Sequence, residues 1–167
     1  MTMAGRAMRY LMAAAVLGGV MVPSGAMAET ASAEAKAQVY VPIQFAVLLE
    51  MDFGNIVSSS SGGRVVLDPV ASARDCGAMI CTGSFSWSRL AVSGSDATVE
   101  ISYAPLFYLN GPGQPIAAQL TYPGGSGSQI QMTGGSAEVQ FGAILHINPD
   151  QVPGPYSGQF AVDVNYQ

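Results

Sequence analysis

The sequence predicts an all-β domain, a Greek-key β-sandwich, and three observations carry that expectation. The chain closes on Phe160, Val162, Val164 and Tyr166, which alternate with Gln159, Asp163 and Asn165. This period of two is that of a half-buried strand, apolar side inward. The same alternation recurs in Val139, Phe141, Ala143, Leu145 and Ile147, and again in Val99, Ile101 and Tyr103. Turn-forming tracts of Gly, Pro and Ser separate the alternating runs, and no helical period survives beyond the N-terminal stretch. Four buried side chains on the last strand would each contribute about 1.5–3 kcal/mol, an upper estimate. Against a typical domain stability of about 5–15 kcal/mol, that strand is expected to be pinned in a sheet, not frayed.

Taken in order, the chain opens with Arg6 and Arg9, an uncharged and mostly apolar run from Tyr10 to Val22, and an Ala26-Met-Ala28 ending. This is the pattern of a signal peptide, residues 1–28, cleaved between Ala28 and Glu29. The apolar run is shorter than the roughly 20 residues a membrane span needs. Residues 29–37 form a small, polar N-terminal extension, and residues 38–167 are expected to form a single domain. From Ala33 to Leu49 every odd position is apolar, so the spacing predicts an extended strand, with Pro42 at an edge or bend.

Asp52-Phe-Gly-Asn55 reads as a turn, and Ser58–Gly63 as a flexible loop. Arg64–Leu67 is a short strand stopped by Asp68-Pro69. Residues 70–83 read as an irregular excursion. Ser84–Val92 reads as a strand with Phe85, Trp87, Arg89 and Ala91 on one phase, its inward face left open. Residues 118–122 suggest a further short strand, 123–128 a flexible tract, and Asn148–Pro155 a turn-rich approach to the last strand.

Composition narrows the function. With residues 1–28 removed, four basic residues stand against eleven acidic ones, a net charge of −7. Such a surface argues against nucleic acid or anionic membrane as a partner, and no membrane span remains after cleavage. The only cysteines, Cys76 and Cys81, are expected to form a disulfide in an exported chain. Closing so short a loop is worth about 2 kcal/mol on the chain-entropy model. It staples a turn and does not hold the domain together.

No catalytic, cofactor or metal site emerges, and the chain is expected not to be an enzyme. His146, the single histidine, falls on the polar phase of its strand, and no Gly-x-Ser-x-Gly elbow accompanies it. Asp52, Asp68, Asp75 and Asp150 do not form a calcium loop and read as turn residues. Trp87, Tyr103, Phe107, Tyr108 and Tyr122 would suit a sugar-binding platform but fit core packing better. No Lys-Ser/Thr follows the glycines of residues 124–127, so they are not a phosphate loop.

Asp52-Phe-Gly54, Gly62–Leu67, Val92-Ser-Gly94 and the terminal set Gly154, Tyr156, Gly158, Phe160, Val162, Val164 and Tyr166 resemble an uncharacterised family of secreted bacterial β-domains. That family, labelled a domain of unknown function, is similar to spore coat U-type domains and chaperone–usher pilins. The resemblance covers about residues 38–167. As in such pilins, Tyr166 is penultimate and Gly154 is fourteenth from the end. The resemblance implies an immunoglobulin-like, pilin-like sandwich that lacks a strand. A chaperone, and then the N-terminal extension of an identical or related subunit, would fill the gap by strand addition.

Ala33, Ala35, Ala37, Val39 and Val41 keep the phase a donor strand needs. Two features depart from such pilins: the cysteines are closer together and later in the chain, and the donor positions are mostly alanine. The implied function is a non-enzymatic, fimbrial or surface-coat subunit placed in the periplasm, at the cell surface or outside the cell. The alternative is a monomeric secreted binding module, for instance for a surface polysaccharide, completed by its own N-terminal strand.

Overall fold

The computed structural model describes residues 29–167, so the expected signal peptide lies outside the described residues. Gln38–Gln167 form one compact unit, and the described residues before it belong to a separate one. Among the described residues there is no helix. Twelve strands follow in chain order: β1 (Gln44–Leu49), β2 (Asn55–Val57), β3 (Gly63–Asp68), β4 (Ala73–Asp75), β5 (Ile80–Thr82), β6 (Ser88–Ser93), β7 (Thr98–Tyr103), β8 (Leu106–Leu109), β9 (Ile116–Thr121), β10 (Ser128–Gln131), β11 (Ser136–Ile147) and β12 (Val162–Tyr166).

All pairings are antiparallel, and the architecture is sandwich-like. β11, the longest strand, joins two parts of one curled sheet. Its first half pairs with β6, which pairs with the edge strand β1. Its second half pairs with β3 on one side and β9 on the other, and these extend to β4 and β8. The second sheet has the order β10-β7-β12, leaving β12 at an edge. A small ribbon, β2 with β5, carries Cys81, which is joined to Cys76 by a disulfide with Cα atoms 6.2 Å apart.

The alternation read from the sequence sets these layers. Val139, Phe141, Ala143, Leu145 and Ile147 of β11 are buried, as are Val99 and Ile101 of β7. They divide between two core clusters. One gathers Val65, Leu67, Ile116, Leu145 and Ile147; the other gathers Leu90, Val92, Val99, Ile101, Phe141 and Val164. Met51 and Phe107 pack against both. Apolar burial on this scale is the main force holding the two sheets together.

Four expectations are corrected. The last strand, expected to bury Phe160, Val162, Val164 and Tyr166, begins at Val162 and buries only Val164, the other three being partly buried. The long extended run shortens to Gln44–Leu49, since residues 29–43 form no strand. Alanines bury too little apolar surface to offset the entropy of ordering a strand, and Pro42 supplies no ladder donor. The strand expected at Ser84 begins at Ser88, and its inward residues are Ser88, Leu90 and Val92. Arg89, on the outer phase, instead reaches across to Glu138 of β11 at 2.7 Å. Residues 70–83 are more regular than expected, because β4 extends β3 and β5 closes the disulfide ribbon.

Candidate functional site

A groove between the two edge strands

Phe45 and Val47 lie opposite the inward-facing Val92 and Leu90, while a bulge after Val47 brings Leu49 opposite Arg89; yet every residue of β1 is exposed, Val47 by 63%. Among the described residues nothing covers Phe45 and Val47, and a groove runs there. One wall is β1 with Glu50 and Met51; the other is the C-terminal segment from Tyr156 to Val162. Leu90, Phe107 and Leu109 form the floor of this hollow of about 610 Å³. It adjoins a second hollow of about 540 Å³ floored by Ile116, Leu145 and Ile147, and the two share Met51, Phe53, Leu109 and Tyr156 in their linings. The seam thus crosses both core clusters.

Two tyrosines of the terminal motif fix the C-terminal wall. The Tyr156 hydroxyl accepts from the Gly113 N–H at 3.0 Å and from Gln151 Nε2 at 2.8 Å, and donates to the Val152 carbonyl at 2.8 Å. Gln151 is itself buried but satisfied, since its Nε2 also reaches the Gln114 carbonyl and its Oε1 accepts from Asn148. Gly154, which precedes this knot, has φ +146°, a backbone conformation that favours glycine, and a side chain there would press on Pro112.

Beyond Val162, a ring of three hydrogen bonds ties the end of β12 to the residues before β1. The Tyr166 hydroxyl donates to the Val41 carbonyl at 2.6 Å, the Val41 N–H donates to Ser95 Oγ at 2.8 Å, and the Ser95 N–H donates to the Tyr166 oxygen at 2.7 Å. Tyr40 stacks on the Tyr166 ring at 4.6 Å. Gly94 belongs to the same arrangement, because a Cβ there would collide with the Tyr166 hydroxyl. Val92-Ser-Gly94 and the terminal motif, remote in sequence, therefore meet at one contact.

From Gly158 to Ala161 the wall is unpaired. Ser157 exchanges both backbone hydrogen bonds with Asn110, and pairing with β7 resumes only at Val162. Gly158 lies against the Tyr108 carbonyl where a Cβ would collide, and Phe160 packs on Phe107 and Phe141 with centroids 5.4 and 6.1 Å away. Val164 is buried, while Val162 and Tyr166 are partly buried; Gln159, Asp163 and Asn165 are exposed. The charged residues lining the two hollows are Glu50 and Asp52, both acidic.

The remaining sequence candidates fall elsewhere. Ala33, Ala35 and Ala37 are exposed and in no strand, Val39 is 92% exposed, and Val41 is held by Ser95 and Tyr166. His146 is exposed, opposite Arg64 in the sheet. Asp52, Asp68 and Asp75 each accept a backbone N–H two residues on, the geometry of turn aspartates. Tyr103 and Tyr122 pack on Phe141 at 5.5 and 5.2 Å. Burial pushes the Tyr122 phenol above its ordinary pKa. Tyr103 and Tyr122 are thus committed to the core, Trp87 and Phe107 are partly buried, and Tyr108 is exposed.

Sequence reasoning missed the C-terminal wall's partners, Gln151 and Ser95, and the groove floor. A seam is made by what does not pair, and no residue pattern records that. The available signal was the apolar phase of β1 next to Pro42.

The sequence profile of a domain of unknown function, DUF4402, matches residues 43–166. No curated protein and no solved structure matches the chain.

Proposed function

Since the chain belongs to the DUF4402 family, a family of unknown function, we propose a role read from the groove. The protein is a non-enzymatic structural subunit of an exported, surface-coat or fimbria-like assembly, completed by a β-strand added between β1 and the C-terminal segment. One observation carries this reading: an apolar seam with the free edge of β1 on one side and, on the other, a C-terminal segment that pairs with no strand from Gly158 to Ala161 before it enters the edge strand β12. An open edge supplies unpaired N–H and C=O groups, and alternate side chains of an added strand fill the hollows between. Soluble monomers seldom leave such a row of apolar side chains uncovered.

Export agrees with the Cys76–Cys81 disulfide and with the lack, among the described residues, of a helix long and apolar enough to cross a membrane. Candidate donors are the extension bearing Ala33, Ala35, Ala37, Val39 and Val41, offered by an identical or related subunit, or a strand of a periplasmic chaperone. The second reading, a monomeric binding module completed by its own extension, draws on the Tyr166–Val41 ring. That ring ties the residues just before β1 to the end of β12.

Hydrogen exchange read by mass spectrometry tests the site. The backbone amides of 44–49 that face away from β6, and those of 158–161, are expected to exchange fast in the isolated chain and to become protected in native assemblies recovered from cells. Equal exchange in both preparations would contradict strand addition at this seam.

A further inference from the structure

Resting on that reading, we infer that the strand filling the groove comes from a different protein. It carries bulky apolar side chains at alternate positions and basic residues on its flank. This chain's own extension, whether from the same molecule or from a second copy, does not fit the groove.

Size is the first argument. The hollow between β1 and the C-terminal segment measures about 610 Å³ and is walled by Phe45, Val47, Phe107 and Phe160. Along an inserted strand, side chains on one face recur about every 7 Å. The extension would present Ala33, Ala35 and Ala37, each a single methyl group, about the roughly 30 Å³ share of one water molecule. Three methyls leave most of such a hollow without contact, and unfilled apolar space forfeits packing on both sides.

Larger residues of the run are already committed. Val41 is tied by its backbone to Ser95 and Tyr166, and Tyr40 is stacked on Tyr166. Only Val39 remains to supply bulk. The second hollow, floored by Ile116, Leu145 and Ile147, lengthens the deficit further.

Charge is the second argument. The lining's charged groups, Glu50 and Asp52, are acidic. The extension brings Glu29 and Glu34, and its one cation, Lys36, is paired with Glu34 at 3.1 Å. A second copy also carries the same net negative charge, so approach is opposed and not steered. A strand from another protein with Lys or Arg beside its apolar positions matches both the volume and the sign.

Three synthetic peptides test this against the exported chain by calorimetric titration and thermal denaturation. The first is the sequence of residues 29–41. The second is the same peptide with A33L, E34K, A35F and A37L, and the third is a scramble of the second. The bulky, basic peptide is expected to raise the Tm with dose and to bind at least tenfold more tightly than the other two.

If the unaltered 29–41 peptide binds as tightly, the occupant is the chain's own extension; this inference falls while strand addition stands. If the scramble binds equally well, the effect is non-specific stickiness and the inference also falls. If no peptide binds, both the inference and the reading of the groove are overturned.

Discussion

At the scale of single residues, Tyr166 does more than its place on an alternating strand implies. Its ring stacks on Tyr40, and its hydroxyl closes the three-membered hydrogen-bond ring with Val41 and Ser95. Tyr166→Phe keeps the stack but strands the Ser95 N–H and the Val41 carbonyl. The Tyr166–Val41 bond is exposed and the Ser95–Tyr166 bond part-buried, so at about 0.5–1.5 kcal/mol net for each bond lost the Tm is expected to fall by a few degrees. A melting curve indistinguishable from wild type would contradict the ring.

The Arg89–Glu138 pair gives a pH-dependent counterpart. The hydrogen bond from Arg89 holds the Glu138 carboxyl below its ordinary pKa, helped by the guanidinium charge. A depressed folded-state pKa contributes stability that is present above the ordinary carboxylate range and is lost as pH falls through the lowered value. Both side chains are solvent-accessible, so the contribution is small. Glu138→Gln is expected to lower the Tm slightly at neutral pH and not at strongly acidic pH, narrowing the gap between the two. An unchanged gap would show that the pair carries no pH-dependent stability.

At the scale of elements, the strands that bury one face were legible and the ones defined by pairing were not. β7, β11 and β12 announce themselves because period-2 alternation is imposed directly by having one wet and one dry face. β4 and β5 have only three residues each and are held by register with β3 and β2, which a local pattern does not encode. In the run Ser84–Val92 both phases contain apolar residues, so the inward choice of Leu90 and Val92 over Trp87 and Ala91 was settled by the partners of β6.

β1 is the instructive case. Its phase was readable, but that phase points at a groove and not at a core. The wall opposite is set by Tyr156 and Tyr166, bonds between residues far apart in the chain. The β12 phase can be checked directly. Val164→Asp puts a charge on a buried face and is expected to cost several kcal/mol, while Asp163→Val, on the exposed face, leaves folding largely intact. Circular dichroism melts ranking the two substitutions the other way would overturn the strand's orientation.

At the scale of the whole molecule, the two sheets are well packed along most of their length and open at one seam. Each core cluster is buried by its own strands, yet the seam between β1 and the C-terminal segment lies over both. On the proposed reading, the chain folds with this seam uncovered and assembly supplies the strand that fills it.

Val47 isolates this claim, because it is largely exposed in the single chain but lines the groove. Val47→Asp is expected to leave the melting temperature of the isolated chain near wild type, since the charge stays in water. The same substitution buries an unpaired carboxylate once a strand is added, whereas Ala46→Asp, on the opposite phase of β1, does not. The direct measurement is the size distribution, by sedimentation velocity, of assemblies recovered from cells expressing each form. The account predicts that Val47→Asp abolishes assembly while Ala46→Asp and wild type assemble alike; assembly of Val47→Asp at the wild-type level would contradict it.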